Sequence, residues 1–485
     1  MAEGIKEKTV SSMIWSALQR FGVLGLSFVS NLVLARYLTA EDYGAIGMLT
    51  VFISLSETII DSGFGAALIQ KKNPDELDYS TVFWTNLFIS VFLYFILYIT
   101  APQISNFYKM EILTPILRVK AISLIIQGVR LIQTTRLQKT LNFKRISIVY
   151  LIASFVSTVV SIICAIFGMG VWSLVVKTLL DTFIRTIIFW VIGNWHPLFR
   201  FSTKSFKELF SYGGVMLSTS IIITLYSNVQ SLIIGKAFSA GDLGYYTQAS
   251  KLESLPTNAF EQIVNQVTFP IFSQFKENVE KMKRGLKKIL VSVSYVTFPM
   301  MTYMIVAATP IFNFLYGQKW EASVPYFKYL CLVGMMVSVN TMNTNLIKAT
   351  GKKGLYFKLQ LVKRIIGIIL ILGSVVFGMT GLLLVRVIIE YCFFAINTSV
   401  TMKAIHYSIF EQIKDLLPNY LLSFATAGFV YFIFRTIHLS HFLMIITQLI
   451  VYSTFYIGIS ALLRFKGFSI YKEIFMERIK KWKSK

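Results

Sequence analysis

The sequence predicts an all-α integral membrane protein of about fourteen transmembrane helices. They form two parallel six-helix repeats, an N-lobe and a C-lobe around a central cavity, with two further helices at the C-terminus. Three observations predict this. Of 485 residues, 55% are hydrophobic and only 14% are charged, where soluble domains carry about 25% charged residues. The apolar residues fall in runs long enough to cross a hydrocarbon core, which takes roughly 20 residues per helix. Short motifs recur in order at a nearly constant offset.

Taken in order, the apolar runs cover 12–35, 44–69, 80–100, 113–135, 146–167, 170–192, 208–234, 246–270, 289–312, 322–346, 359–377, 381–402, 417–437 and 441–463. The first follows Lys6 and Lys8 and is too long for a signal-peptide core, so it reads as a permanent helix. The first, fourth and eighth are the most polar. The last two have no counterpart in the repeat. The expected organisation is an N-lobe over 1–200, a C-lobe over 201–405, two extra helices over 406–463 and a basic tail over 464–485. In that tail Ile470, Ile474, Ile479 and Trp482 alternate with lysines. Such a pattern suits an amphipathic helix on a membrane surface, or a solvated basic tail.

The formal net charge of +24 would suggest nucleic acid in a soluble protein. Its placement points instead to membrane topology. With the N-terminus in the cytoplasm, the outer loops hold only Arg36, Lys109, Lys236, Lys319 and Arg435. The inner segments hold the remaining loop bases, among them Lys71, Lys72, Arg136, Lys139, Lys276, Lys283, Lys287, Lys352, Lys363, Arg364 and the tail through Lys485. This is the positive-inside bias. It places both termini in the cytoplasm and leaves no role for nucleic acid.

The repeat is visible in four places. Ala35-Arg-Tyr-Leu-Thr-Ala-Glu-Asp-Tyr-Gly44 matches Gly235-Lys-Ala-Phe-Ser-Ala-Gly-Asp-Leu-Gly244. Pro102 and Tyr108 match Pro310 and Tyr316, Pro115 and Arg118 match Pro325 and Lys328, and Phe167-Gly-Met169 matches Phe377-Gly-Met379. The offsets run only from 200 to 210, and each match sits at the same place relative to a span. An even number of spans separates the copies, so both enter the membrane in the same direction. Parallel repeats of this kind are a transporter architecture that works by rocking one half against the other.

The same segments resemble a known family. Leu34 to Gly44 and Asp61-Ser-Gly-Phe-Gly-Ala-Ala-Leu-Ile-Gln70 are similar to the first loop and second helix of Wzx-type oligosaccharide flippases. Arg136-Leu-Gln-Lys-Thr-Leu-Asn-Phe-Lys-Arg145 and Phe167-Gly-Met-Gly-Val-Trp-Ser-Leu174 fit the same group, especially its colanic-acid exporter branch. The resemblance runs from about residue 10 to 400. It implies the fold of the multidrug/oligosaccharidyl-lipid/polysaccharide superfamily and a polytopic protein of the bacterial inner membrane. It also implies a flippase that moves an undecaprenyl-diphosphate-linked oligosaccharide from the cytoplasmic to the periplasmic leaflet, for O-antigen, capsule or exopolysaccharide assembly. The implied partners are that lipid-linked substrate, membrane lipids and other polysaccharide-assembly proteins.

An ionisable side chain at the centre of a bilayer costs at least ~2.5–3.5 kcal/mol, so each one needs a reason. Bases in or at the ends of spans are Arg20, Arg118, Lys120, Arg130, Lys177, Arg185, Lys251, Lys328 and Arg386. A pyrophosphate crossing a region of low dielectric suits arginine, a bidentate donor, and lysine, a point charge. Arg20, Lys251 and Arg130 are the candidate substrate-binding residues. The resemblance supports the first two, because related lipid II flippases line their cavity with bases on the first and eighth helices. Those flippases also carry an arginine on the second helix, where this chain has Glu57 and Asp61. Glu57, Asp61, Glu253 and Glu261 are the carboxylates available for ion coupling or gating. Asp181 with Arg185, and Arg386 with Glu390, are spaced i,i+4 and read as structural pairs. Asn31, Asn228, Gln230, Asn258, Asn340, Asn343 and Asn345 suit either a hydrated lumen or hydrogen bonding between helices.

Cys164, Cys331 and Cys392 lie in apolar runs without paired spacing, and His438 and His441 flank a turn. No metal site or cofactor is expected. No phosphate-binding loop and no nucleophile motif is present, so the chain is not expected to be an enzyme. Two other readings compete with the flippase. A multidrug-extrusion-type drug/cation antiporter would favour twelve spans and an acidic cavity. A membrane-embedded polysaccharide polymerase or ligase would need a sizeable outer loop.

Overall fold

The computed structural model describes residues 2–61, 63–275, 278–351 and 353–483. Lys276, Lys352 and Lys485, counted above among the inner bases, and Ser62 of the 61–70 motif lie outside the described residues. Among the described residues the chain is helical with short connections and has no strand. A bilayer leaves few alternatives, because each backbone N–H and C=O must be satisfied within the segment.

The chain divides into two compact units, Met1–Gly244 and Tyr245–Lys485. The first holds α1 (Ala2–Tyr37), α2 (Ala40–Asp61), α3 (Phe64–Gln70), α4 (Glu76–Tyr108), α5 (Leu113–Lys120), α6 (Ile122–Lys139), α7 (Phe143–Ile166), α8 (Trp172–Gly193) and α9 (Thr203–Ala237). The helix α10 (Ala240–Gln274) begins at its end. The second holds the rest of α10 with α11 (Val279–Val306), α12 (Ala308–Leu315), α13 (Ser323–Ala349), α14 (Lys353–Ser374), α15 (Gly378–Ile405), α16 (Ile409–Phe434), α17 (His441–Leu462) and α18 (Lys466–Lys483).

Helix starts follow local chemistry. Asp75 and Asp78 cap α4 reciprocally, as Ser408 and Glu411 cap α16. Asn142, Ser202 and Asn278 accept from backbone N–H groups at the starts of α7, α9 and α11. Each cap satisfies donors that a helix end leaves open. The turn at Phe167-Gly-Met169 takes Gly168 at φ 77°, and its repeat at Phe377-Gly-Met379 takes Gly378 at φ 70°. Both lie in the left-handed region that glycine enters without steric cost.

Every predicted span falls on a helix, although three are interrupted. The second breaks at Gly63, the fourth at Ala121 and the ninth at Ala307. Among the described residues, ten helical stretches are long and apolar enough to cross a membrane, and one of them, Gly354–Ile405, runs through both α14 and α15. The helices α5–α6, α8 and α10 fall outside that set. They are the ones that carry Arg118, Lys120 and Arg130, Lys177, Asp181 and Arg185, and Lys251, Glu253 and Glu261.

Packing within each unit combines a large apolar core with many buried small and polar side chains, the latter expected where lipid is as apolar as leucine. On α7, the Ser147, Ser154, Ser157, Thr158 and Ser161 side chains are buried, and Ser147 Oγ donates to the Trp15 carbonyl on α1 at 2.8 Å. An aromatic core of Phe64, Tyr79, Phe83 and Trp195 ties α3, α4 and the segment after α8 together. In the second unit, Tyr295, Tyr303, Tyr452 and Tyr456 join α11 to α17. Large side chains such as Phe88, Phe92, Val191 and Ile369 are exposed and suit a lipid-facing surface.

The first repeat motif meets its copy within the first unit. A Cβ on Gly44 would collide with the backbone of Ala240, and a Cβ on Gly244 would collide with the backbone of Ala40. The contact is reciprocal at an offset of 200. The two loops are capped alike. Asp42 Oδ2 accepts from the Thr39 backbone at 2.8 Å, and Asp242 Oδ2 accepts from the Ser239 backbone at 3.2 Å.

Candidate functional site

Two groups of ionisable residues lie inside the units, one in each. The first is cationic. Lys120 on α5 is buried and lies within electrostatic reach of Glu57 on α2. Arg130 on α6 is half-buried and feels Tyr150, Arg185, Asp181 and Glu57. Its Nη1 is buried and has no hydrogen-bond partner among the described residues. On α8, Arg185 Nη2 and Asp181 Oδ2 pair at 2.8 Å, and the Arg185 guanidinium lies 4.1 Å from the centre of the Tyr150 ring. Lys177 Nζ donates to Ser30 Oγ of α1 at 2.6 Å. Four bases thus share two carboxylates, Glu57 and Asp181. Surplus positive charge in a low-dielectric interior favours an anion.

The spacing of α8 explains part of this. Lys177, Asp181 and Arg185 recur every four residues and so share one helix face. Gly128 lets α6 approach α4, because a Cβ there would lie 2.5 Å from Ser90 Oγ.

The second group is acidic. Along α10, Glu253, Thr257 and Glu261 recur every four residues, followed by Asn265 and Thr268. Thr257 donates to Glu253, and Gly334 of α13 leaves room for the Glu253 carboxylate, which a Cβ would displace. Thr341 donates to Glu261 at 2.8 Å, and Asn345 Nδ2 bonds both Asn265 and Thr268 at 2.8 Å. A polar seam therefore joins α10 to α13. It continues to α15 and α14. Arg386 pairs with Glu390 at 2.8 Å, Asn340 donates to Glu390 at 3.0 Å, Asn397 donates to Asn340 at 3.0 Å, and Lys363 donates to Asn397 at 3.0 Å.

Of the residues singled out from the sequence, Arg20 on α1, Lys251 on α10 and Asp61 at the end of α2 are exposed. Arg130 and Glu57 fall in the cationic group, and Glu253, Glu261, Arg386 and Glu390 in the acidic one. Asn340, Asn343 and Asn345 are buried in bonds between helices, whereas Asn258 is exposed. Lys363, counted from the sequence among cytoplasmic bases, is buried inside α14 and bonded to Asn397. Hydropathy could not reveal that, because Lys363 stands next to Arg364 at the edge of an apolar run. Lys120 and Lys177 are further members that sequence reasoning did not single out as site residues. Their positions among apolar residues were the available signal.

A family model described as "Polysaccharide biosynthesis protein" matches residues 33–325. The chain is 26% identical over 436 residues to the teichuronic acid biosynthesis protein TuaB of Bacillus subtilis (strain 168), covering 88% of this chain and 89% of that protein. It is 25% identical over 425 residues to the lipopolysaccharide biosynthesis protein WzxC of Escherichia coli (strain K12), covering 86% of each. Among solved structures, the lipid II flippase MurJ in its inward closed conformation superposes with a TM-score of 0.76 at 18% identity, covering 93% of this chain and 98% of that one.

Proposed function

The chain belongs to the polysaccharide biosynthesis protein family, and from that premise we propose that it is a flippase for a polyprenyl-diphosphate-linked oligosaccharide. The proposed route is from the cytoplasmic to the periplasmic leaflet of a bacterial inner membrane, by alternating access between two six-helix repeats. In this reading fourteen helices cross the bilayer and both termini are cytoplasmic. The lobes cover 1–200 and 201–405, the extra helices 406–463 and the tail 464–485. The chain performs no covalent chemistry, and its partners are the lipid-linked substrate and other assembly proteins.

The observation that carries the reading is the surplus of base inside the first unit, with a buried Arg130 nitrogen left unbonded among the described residues. A diphosphate would supply the missing acceptor, and arginine would hold it bidentately. Arg20 and Lys251, exposed on α1 and α10, are the further bases proposed to contact the diphosphate. Glu253 and Glu261, with Glu57 and Asp61, are the groups through which an ion gradient could act. The names of the relatives, which speak of teichuronic acid and lipopolysaccharide biosynthesis, support a glycan substrate.

The test is leaflet exchange of a labelled polyprenyl-diphosphate oligosaccharide in liposomes that hold the purified chain. Exchange should exceed that of protein-free vesicles. It should also be inhibited by excess unlabelled polyprenyl diphosphate and not by the neutral polyprenol. Exchange equal to protein-free vesicles, with substrate and ion gradients varied, sinks the proposal.

A further inference from the structure

We propose that α18 is an interfacial anchor that binds anionic lipid headgroups, with one face docked on the protein and the continuation of that face laid on the bilayer. The helix begins four residues after α17 ends at Leu462, with Arg464 in a left-handed turn at φ 51°. It is therefore tethered to the end of a helix long and apolar enough to cross a membrane.

Its first turns are docked. A Cβ on Gly467 would lie 2.6 Å from the Tyr295 ring, so the helix rides directly on that side chain. Phe468 packs into the Tyr295 and Tyr456 cluster, and Tyr471 Oη donates to the Ser292 carbonyl of α11 at 3.2 Å. Lys466 lies 3.8 Å from the Asp415 carboxylate, which Lys287 also pairs with at 2.9 Å.

From Lys472 to Glu477 the side chains are exposed while the apolar face goes on. Ile474 is three residues and Phe475 four residues past Tyr471, so both continue its stripe. They are 47% and 65% exposed. Leu462 and Leu463, at the other end of the turn, are 81% and 60% exposed. The composition of the helix is strongly basic. Glu473 and Glu477 are its only acids, against Lys466, Lys472, Arg478, Lys480, Lys481 and Lys483.

An apolar stripe flanked by lysines at the end of a span matches a bilayer surface. The stripe enters the acyl boundary, and the bases are drawn to an anionic surface. A soluble acidic protein would meet the charge but would leave the apolar stripe next to lipid unused. The inference does not depend on what the chain transports.

The experiment is hydrogen–deuterium exchange on the full chain at one copy per nanodisc, made from phosphatidylcholine alone or from an equal mixture with phosphatidylglycerol. Backbone amides over 472–483 should exchange about tenfold more slowly in the anionic discs. The difference should vanish at about 0.5 M salt, where charges are screened within a few ångströms. It should also vanish in the K472Q, K480Q, K481Q triple variant, which leaves the docked Phe468 and Tyr471 in place. Equal exchange in both discs, slowing that survives loss of the lysines, or slowing that appears only with two copies per disc would overturn the proposal. The last outcome would assign the face to a second copy of the chain.

Discussion

At the scale of single residues, the informative side chains are those whose burial conflicts with their charge. Arg130 has a buried nitrogen with nothing to donate to among the described residues, and such a group costs free energy until a partner arrives. Arg130→Ala is therefore expected to slow substrate exchange by about tenfold or more, roughly what one lost charge-assisted bond accounts for. Arg130→Lys should recover only part of the rate, because a point charge cannot bind bidentately. Flux in proteoliposomes, normalised to inserted protein, checks this. Rates equal to wild type in both variants would remove Arg130 from the route. Arg386 and Glu390 make the opposite case, a largely buried pair at 2.8 Å. Breaking it from one side leaves an uncompensated charge, which costs ~3–5 kcal/mol. Arg386→Met should lower thermal stability in detergent far more than the double change Arg386→Met with Glu390→Gln, and a strictly additive double variant would contradict the pairing. The i,i+4 spacing makes this pair legible in the sequence alone. The bond from Lys363 to Asn397 is not, because it joins α14 to α15 through side-chain directions that periodicity does not carry.

At the scale of elements, the repeat leaves marks that can be tested. Gly168 and Gly378 hold left-handed turns with open space where a Cβ would stand. Gly168→Ala is expected to cost ~1–2 kcal/mol through backbone strain alone, measured as a lowered melting midpoint. An unchanged midpoint would show that the turn relaxes freely. Gly44 and Gly244 differ, since each faces the backbone of the other copy of the motif. Gly44→Val must separate α2 from α10 by about a methyl group or more. The expected result is ~1–3 kcal/mol of overpacking together with impaired transport, and Gly244→Val should match it. A large effect from one and none from the other would contradict the reciprocal contact. The helices that hydropathy underrates, α5–α6, α8 and α10, are those loaded with ionisable groups.

At the scale of the whole molecule, the charge asymmetry of the loops predicts both termini on one side. A reporter fused at either end of the chain should give cytoplasmic signals only, and a periplasmic signal from either end would contradict the positive-inside reading. What the sequence determined by itself was the class of protein and the course of the helices, together with motifs that recur in order at offsets of 200 to 210. These rest on hydropathy, on turn residues and on register along the chain, all of which are local or periodic. Only the tertiary structure decided which charges share an interior. Lys120 and Arg130 come from α5 and α6, Lys177 and Arg185 from α8, and Glu253, Lys363 and Glu390 from α10, α14 and α15. The sign of the field at a point is a sum over neighbours in space, and no window along one dimension contains them.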